Sequence, residues 1–343
     1  MDILKPMGFL SRGADAVGDF VDVLRQVRTD DILEEAERHF QVAIIGAPGA
    51  GKSTLITRLS GFSASGLSSA LAGRRLVELH APLTPAGLET AYQCDAVVWV
   101  QDAGLPYSDD TFDILSRRGP AFLHVVNKAD LLSDESNRDL NLPYTSRAPI
   151  FTSAESSDSV RRQVVPALVD LMPELGLALA RAFPIFRDEV GEREIQRVAR
   201  VNAEVAVVSA IPQASLLLGP ASAVADTLIL TKNQTMLVLR LATMFGMQID
   251  RGRLIELAPI VGAAFGWRTL ARELVGFLPA GLGVVPKAAV AYAGTVAAGR
   301  AALWYYQTGQ RMPETQLKQI YADSSARARD FARELAQRFR RAG

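Results

Sequence analysis

The chain has 343 residues, of which 49% are hydrophobic, so it is long enough for two domains that each bury a core. Lysine plus arginine and aspartate plus glutamate both total 37, and this balance gives no overall basic field that would indicate nucleic acid as a partner. The single cysteine, Cys94, excludes a disulfide within the chain, and the first residues carry no sustained apolar stretch, so we expect a cytoplasmic protein.

Residues 1–38 have the pattern of an amphipathic lead-in helix. Apolar side chains recur there at helical spacing, at Phe20, Val21, Leu24 and Val27. Asp31 together with Glu34 can cap the helix that follows. We interpret this segment as a helix that packs on its own protein, with contact to a membrane surface as the alternative.

Residues 39–175 alternate short apolar runs with longer helical patterns. The runs are "FQVAIIG", "RRLVELH", "DAVVWVQD", "AFLHVVNK" and "APIFTSA", and the intervals between them are long enough for crossover helices. This alternation predicts an α/β domain. We expect a mainly parallel sheet with helices on both faces and a ligand site at the carboxyl ends of the strands.

A glycine-rich turn, "GAPGAGKST", follows the first run directly. It fits the pattern Gly-x-x-x-x-Gly-Lys-Ser in the order strand, loop and helix, which predicts a phosphate-binding P-loop. Glycines let successive backbone N–H groups turn inward around a phosphate, Lys52 brings a charge to the outer phosphates, and Ser53 would coordinate magnesium. The predicted nucleotide-binding residues are Gly46, Ala47, Pro48, Gly49, Ala50, Gly51, Lys52, Ser53 and Thr54.

The tetrad "NKAD" follows the fourth run and predicts guanine as the base. The carboxylate of Asp130 would accept hydrogen bonds from the ring N–H and the exocyclic amine of guanine, whereas adenine offers neither donor there. Asn127 would steady the loop, and the stem of Lys128 would lie along the base plane. In "FTSAE", Ser153 and Ala154 can aim backbone N–H groups at the guanine carbonyl oxygen. The predicted ligand is therefore GTP or GDP.

Together, "GAPGAGKST", "NKAD" and "TSA" resemble the motifs of the Era-like bacterial GTPases of the translation-factor class. The resemblance covers residues 40–172. It implies a P-loop GTPase fold, dependence on Mg²⁺, and a switch between triphosphate and diphosphate states. The expected cofactors are accordingly GTP or GDP with Mg²⁺.

The third motif departs from that family's pattern. Where the family places Asp-x-x-Gly, the chain reads "LVELHAPLT". Either Glu78 stands in as the acid, which with Ser53 would hold the metal, or the register puts His80 in that place. Neither choice restores the glycine that senses the γ-phosphate. The predicted catalytic residues are Lys52, Ser53 and Glu78. No glutamine stands in position to orient water, so we expect slow hydrolysis, assisted by a partner or by dimerisation across the nucleotide.

The stretch "QDAGLPYSDD" offers a second interpretation of the missing motif, because it contains Asp102 and Gly104. Its apolar run, "DAVVWVQ", more naturally precedes the helix before "NKAD". That order makes Asp102 a strand-end residue, and the switch interpretation stays as the alternative.

Residues 180–343 lose the β pattern and predict an all-helical domain. Two runs, 205–225 and 274–299, are long and nearly free of charge, but prolines interrupt both of them. Buried hairpins and association with a membrane are equally favoured. Small residues four apart would let helices approach closely, at Ala289, Ala293 and Ala297. The layout of residues 195–310 resembles a YcjF-like helical domain of unknown function, which implies an inner-membrane or membrane-proximal setting.

After Pro313 the sequence predicts an amphipathic helix, with apolar positions at Leu317, Ile320, Tyr321, Ala328, Phe331, Leu335 and Phe339. Its other face is rich in arginine, for which solvent is the expected environment and anionic lipid the alternative.

Two functions follow for the chain. It is either a slow GTPase switch that reports nucleotide state to a membrane or protein partner, or a guanine-nucleotide-binding scaffold without efficient hydrolysis. An ATP-dependent enzyme requires "NKAD" to be accidental.

Overall fold

The computed structural model describes residues 29–61, 75–105, 110–132, 145, 147–208, 221–247 and 284–342. The chain forms two compact units. The first, Glu34–Val190, contains a parallel β-sheet with helices, and the second is helical, runs from Gly191 onward and includes residues 29–33. The predicted order of an α/β domain followed by a helical domain is confirmed. The apolar spacing predicted within residues 20–27 lies outside the described residues.

Five parallel strands form the described sheet, in the spatial order β2-β1-β3-β4-β5. They are β1 (Val42–Gly46), β2 (Leu76–His80), β3 (Ala96–Asp102), β4 (Ala121–Asn127) and β5 (Ile150–Phe151). Each strand coincides with one of the five apolar runs. The chain goes to one side of β1 for β2 and then crosses to the other side for β3. The carboxyl end of β1 therefore lies where the strand order reverses, which is where open α/β sheets bind ligands.

Short helices connect and extend these strands. They are α1 (Asp30–Glu37), α2 (Lys52–Ser60), α3 (Pro85–Gln93), α4 (Asp110–Arg118), α5 (Ser157–Leu171) and α6 (Gly176–Ala182). The helix α5 contains a π-helical turn at Val160–Val164. A 3₁₀ turn at Ala129–Leu131 follows β4, and two more, Pro173–Leu175 and Pro184–Phe186, flank α6.

One face of the sheet packs against α3 and α4. The apolar cluster on this face contains Ala43, Ile45, Val97 and Trp99 from the strands and Ala91, Phe112 and Leu115 from the helices. The rings of Phe112 and Trp99 meet edge to face with their centroids 5.4 Å apart, an arrangement that aromatic pairs favour. Ile44 and Val98 point to the opposite face by strand alternation and are also fully buried. Both faces are therefore covered, as the sequence predicts.

The α/β unit ends later than the expected boundary at 175–180. The two units divide after Val190, inside a helix. The ring of Phe183, just after α6, meets the ring of Phe40, just before β1, with 6.0 Å between centroids. This contact attaches the short helical segments to the start of the sheet. The loss of β pattern near residue 180 marks the end of the strands and not the end of the unit.

The described helices of the second unit are long. They are α7 (Arg187–Val208), α8 (Ala221–Met244), α9 (Val284–Thr308) and α10 (Glu314–Ala342). A β-carbon at Gly299 of α9 would lie 2.6 Å from the side chain of Ile195 on α7, so the glycine allows a close approach. Ala293 and Ala297 are buried against Tyr321 of α10, and this confirms that the small residues of α9 form a packing face.

The amphipathic pattern of α10 is confirmed over its first half. Leu317 and Ile320 pack onto the cluster of Ala293 and Ala297, and Ala328 is buried. The side chains predicted to continue this face, Phe331, Leu335 and Phe339, lie outside the described residues.

Within the described ranges, no helix alone combines the length and the apolar character that a membrane span requires. One pair, Ser157–Leu171 with Pro173–Ala182, meets the requirement only when taken together, and it is bent by 103°. The two runs at 205–225 and 274–299 lie partly outside the described residues.

Candidate functional site

The glycine-rich turn connects β1 to α2 at the carboxyl edge of the sheet. Gly46 ends β1 and Lys52 begins α2, which confirms the predicted order of strand, loop and helix. Gly49, at φ 79°, and Gly51, at φ 93°, have left-handed backbone angles that other residues rarely adopt. A β-carbon at Gly46 would lie 2.2 Å from the carbonyl oxygen of Val100. The path of the turn therefore requires glycine at all three positions.

The side chain of Lys52 is enclosed by the turn. Its ammonium donates a hydrogen bond of 2.9 Å to the carbonyl oxygen of Ala47, and the residue is only 2% exposed. Burial lowers the pKa of Lys52, and the nearby carboxylate of Glu78 acts in the opposite direction. A buried charge is unfavourable unless it is paired. The turn therefore holds a cation that an anionic ligand would stabilise.

Ser53, the second residue of α2, lies against Glu78 of β2. Its hydroxyl donates to the two carboxylate oxygens, at 2.9 and 3.1 Å. Glu78 reaches this position because the sheet register sets it opposite Ile44 of β1. His80 lies opposite Gly46 at the end of β2 and is exposed. Of the two residues left open for the third motif, Glu78 is the one that the structure brings to Ser53.

Asn127, the last residue of β4, connects the glycine-rich turn to a second loop. Its side-chain nitrogen donates to the carbonyl oxygen of Ala50 at 2.8 Å, and its side-chain oxygen accepts from the N–H of Ala154 at 2.7 Å. The residue is 3% exposed. A β-carbon at Gly51 would lie 2.1 Å from the Asn127 nitrogen, so only glycine leaves room for this side chain. Three segments that are far apart in sequence thus meet at Asn127.

The two charged residues after Asn127 lie in different surroundings. Lys128 has a left-handed φ of 62°, and its ammonium lies 2.6 Å from a carboxylate oxygen of Asp102. Asp130 lies in the 3₁₀ turn Ala129–Leu131, and its side chain is exposed. The carboxylate predicted to recognise guanine is therefore accessible on the loop that Asn127 attaches to the turn.

Ser153 and Ala154 already use their N–H groups within the protein. The N–H of Ser153 donates to the hydroxyl oxygen of Ser159 at 3.0 Å, and that of Ala154 donates to Asn127. The hydroxyls of Ser159 and Thr152 lie 3.0 Å apart and hold this loop further. A guanine carbonyl oxygen would have to compete with these acceptors. Recognition of the base by these two N–H groups stays a prediction.

Asp102 ends β3, directly opposite Asn127 of β4. This position confirms the interpretation of Asp102 as a strand-end residue, since the motif it might have replaced belongs after β2. One carboxylate oxygen of Asp102 accepts the N–H of Gly104 at 2.9 Å, and the other contacts Lys128. From the sequence, Asp102 had a role in the site only in the alternative interpretation as the missing switch motif. The sequence signal for its contact with Lys128 was an aspartate at the end of the apolar run that precedes the "NKAD" run.

Arg58 on α2 is a second residue that the sequence did not indicate. Its guanidinium donates to the carbonyl oxygen of Glu155 at 2.8 Å, across 97 positions of sequence. This bond ties the helix after the turn to the loop that carries Ala154. No local sequence pattern predicts this hydrogen bond, because arginine is common on exposed helix faces.

The oxygen atoms of Ser53 and Glu78 are of the type that Mg²⁺ prefers. In the part of the chain that the structure describes, no group of three or more His, Cys, Asp or Glu side chains could hold a metal ion. Mg²⁺ in nucleotide sites commonly keeps several waters and takes one or two protein ligands together with phosphate oxygens. The donor set therefore fits a magnesium ion that binds with a phosphate ligand.

No model of a known protein family matches this chain, and no curated protein matches it significantly. The interpretation of the site therefore depends on its own geometry, above all on the turn and on the two bonds of Asn127.

Proposed function

We propose that the α/β unit is a P-loop domain of the Era-like GTPase type, which binds GTP or GDP with Mg²⁺ at the carboxyl ends of β1 and β4. The observation that carries this proposal is the pair of hydrogen bonds made by Asn127, to Ala50 and to Ala154. These bonds hold the glycine-rich turn and the loop after β5 next to the "NKAD" loop. One ligand with a phosphate end and a base end can then contact all three.

The glycine-rich turn supplies the phosphate site. The left-handed angles of Gly49 and Gly51 let backbone N–H groups face an anion, and the first turn of α2 adds its partial positive charge. The ammonium of Lys52 would exchange its bond to the Ala47 carbonyl for a phosphate oxygen. A charged acceptor forms the stronger hydrogen bond with an ammonium, so the exchange favours the ligand.

The loop after β4 supplies the base site. Asp130 presents an exposed carboxylate, and guanine has two neighbouring donors, its ring N–H and its exocyclic amine. Adenine has no such pair, so it would leave the carboxylate without partners once the base excluded water. Recognition by Asp130 is what makes the proposed ligand a guanine nucleotide and not ATP.

Ser53 and Glu78 would hold Mg²⁺, Ser53 directly and Glu78 through a bound water. When bound, the ion would neutralise charge on the phosphates. The hydroxyl of Ser53 donates to Glu78 in the free protein, so it would have to turn away from that carboxylate. Lys52, Ser53 and Glu78 are the residues proposed to support hydrolysis.

We propose that hydrolysis is slow. With Glu78 as the acid, the pattern Asp-x-x-Gly places Ala81 at the glycine position, and the next residue, Pro82, has no N–H to donate to a γ-phosphate. The N–H of Ala81 donates to the carbonyl oxygen of Gly46 at 3.0 Å. These observations favour, as the second candidate, a guanine-nucleotide-binding scaffold that lacks efficient hydrolysis.

Binding is tested by competition. A fluorescent guanine nucleotide bound to the protein should be displaced by GTP and GDP but not by ATP, and preferential displacement by ATP would overturn the assignment. In Asp130→Asn, preference should shift toward xanthine nucleotides, because an amide can donate to the xanthine oxygen. Unchanged guanine preference would show that Asp130 does not recognise the base.

Catalysis is tested by phosphate release from GTP, with and without lipid vesicles and with Lys52→Ala as the blank. Turnover above the blank supports the slow GTPase. Turnover equal to the blank leaves only the scaffold.

The helical unit is proposed to contact the partner, which is a membrane or a protein. Fractionation of cells, followed by washing of the membranes with salt and then with carbonate, separates these cases. Release by salt indicates peripheral docking, and retention after carbonate indicates insertion. Recovery away from the membranes would exclude the membrane and leave a protein, which includes a second copy of this chain, as the proposed partner.

A further inference from the structure

The ion pair between Asp102 and Lys128 links the ends of two neighbouring strands. The Lys128 ammonium lies 2.6 Å from one carboxylate oxygen of Asp102, whose side chain is 14% exposed. The other carboxylate oxygen accepts the N–H of Gly104 at 2.9 Å. The carboxylate is therefore itself fixed, because both of its oxygens have partners at the end of β3.

The aliphatic stem of Lys128 is held at both ends. At its base, the backbone has a left-handed φ of 62°, directly after the buried Asn127. At its tip, the ammonium is bound to Asp102. The residue pair Asp102 and Asn127 is in register, and the N–H of Ala103 donates to the carbonyl of Asn127 at 2.9 Å. The stem thus lies along the edge that joins β3 to β4, on the loop that also carries Asp130.

We propose that Asp102 is a positioning residue for the nucleotide base, because it holds the stem of Lys128 as a fixed apolar surface on which a purine ring lies. This inference rests on the proposed function of guanine-nucleotide binding. A lysine that is free in solution would lose rotamer freedom when a base packs on it, whereas a stem held in place has already lost that freedom.

Stability alone is a weak explanation of the pair. The Lys128 side chain is 38% exposed, and ion pairs with one partner in solvent add little to folding free energy. A left-handed backbone at a residue other than glycine is also unfavourable. Lys128 thus combines an unfavourable backbone conformation with an ion pair that adds little stability. A role in the site explains this combination better than folding does.

The test compares two ligands that share only the phosphate end. Binding of GDP and of inorganic pyrophosphate, both with Mg²⁺, is measured by calorimetry for the full chain, for Asp102→Asn and for Lys128→Met. Both variants should bind GDP roughly three- to tenfold more weakly, as expected for one side chain that has to be ordered on binding. Pyrophosphate affinity should be unchanged, because the glycine-rich turn is intact.

The control is Asp188→Asn. Asp188, in the first turn of α7, contacts Arg161 at 2.7 Å with both side chains about half exposed, and this change should alter neither affinity. In the background of Lys128→Met, Asp102→Asn should cause no further loss of GDP affinity. Equal losses for GDP and pyrophosphate, unchanged GDP affinity in Lys128→Met, or additive losses in the double variant would overturn the inference. Wild-type protein that binds pyrophosphate but not GDP would overturn the proposed function itself.

Discussion

The side-chain nitrogen of Asn127 lies 2.8 Å from the carbonyl oxygen of Ala50, although 77 positions separate the two residues in sequence. The sheet makes this contact, because β1 and β4 both flank β3 and end at the same edge. A second bond from Asn127, to the N–H of Ala154, extends the connection to the loop after β5. One side chain at the end of β4 therefore contacts both the glycine-rich turn and the loop after β5.

Asn127→Ala should destabilise the α/β unit by about 2–4 kcal/mol, because it leaves the carbonyl of Ala50 and the N–H of Ala154 buried without a partner. The free energy of unfolding is measured by urea titration. Asn127→Asp keeps the acceptor for Ala154 and loses the donor to Ala50, so its effect should also be a clear loss. A change below about 1 kcal/mol for Asn127→Ala would mean that the two loops are held in place by other contacts.

Gly51→Ala should be more damaging than Gly49→Ala. Both glycines have positive φ, so both changes introduce backbone strain of about 1–2 kcal/mol. At Gly51 the new β-carbon would also lie 2.1 Å from the Asn127 nitrogen, whereas at Gly49 nothing lies within 4 Å. The difference in thermal stability between the two variants measures the effect of the contact with Asn127. Equal losses of stability would show that Asn127 moves aside without penalty.

His124 gives the α/β unit a pH dependence. The imidazole is 2% exposed and lies 2.9 Å from the side-chain oxygen of Gln101. Burial lowers the pKa of His124 from 6.5 to about 4. As pH falls below 6.5, the unfolded chain takes up the proton first. The contribution of neutral His124 to stability is therefore complete above pH 6.5 and is lost as pH falls to about 4.

The expected loss is on the order of 3 kcal/mol. It is measured by urea unfolding at pH 7 and at pH 4 for wild type and for His124→Gln, which cannot titrate. The wild type should lose more stability than the variant between the two conditions, by about that amount. An equal loss in both proteins would assign the acid sensitivity to other groups.

The features that the sequence predicted are those that local spacing determines. Apolar runs separated by helical intervals predict a mainly parallel sheet, and the glycine spacing predicts the turn between β1 and α2. The choice between Glu78 and His80 could not be made from spacing, because it depends on the register that sets Ile44 opposite Glu78. The ion pair of Asp102 with Lys128 depends on side-chain reach across the sheet edge, which no single segment contains.

The two units divide after Val190, further along the chain than the loss of β pattern near residue 180. Phe40 precedes the first strand in sequence and Phe183 follows the last one. A local change of pattern near residue 180 therefore could not reveal the contact between their rings. The motif does not show that the N–H groups of Ser153 and Ala154 are already engaged, because their acceptors lie outside it: Ser159 is six residues further on, in α5, and Asn127 ends β4. Motif patterns give residue identity but not the contacts of the free protein.

In the helical unit, Arg240→Met should destabilise by about 3 kcal/mol, because it leaves Glu194 as a buried carboxylate that has lost its main partner. The Arg240 Nε lies 2.7 Å from Glu194, and both side chains are largely buried. Burial raises the pKa of Glu194, but its bonds to Arg240 and Arg197 lower it overall. Arg197→Met is the matched control, since that side chain is 56% exposed, and it should cost less than about 1 kcal/mol.

Thermal unfolding of the two variants measures the difference. Equal losses would show that the bond to Arg240 contributes no more than a surface ion pair.

Glu78→Gln should make nucleotide binding less dependent on Mg²⁺. The amide keeps a side-chain oxygen that can accept the Ser53 hydroxyl bond, now made at 2.9 Å, but it removes the negative charge that would hold the ion. GDP affinity is measured with Mg²⁺ and with a chelator. In wild type, Mg²⁺ should strengthen binding, and in Glu78→Gln this gain should fall roughly tenfold, as removal of an outer metal ligand commonly does.

Glu89→Gln on the exposed side of α3 changes the same charge away from the site and should preserve the wild-type gain. Because the variant keeps the hydrogen bond to Ser53, a fall in affinity that is equal with and without Mg²⁺ would mean that Glu78 supports the turn and does not act on the metal. A gain from Mg²⁺ that is unaffected by the change would assign the metal to Ser53 and the phosphates alone.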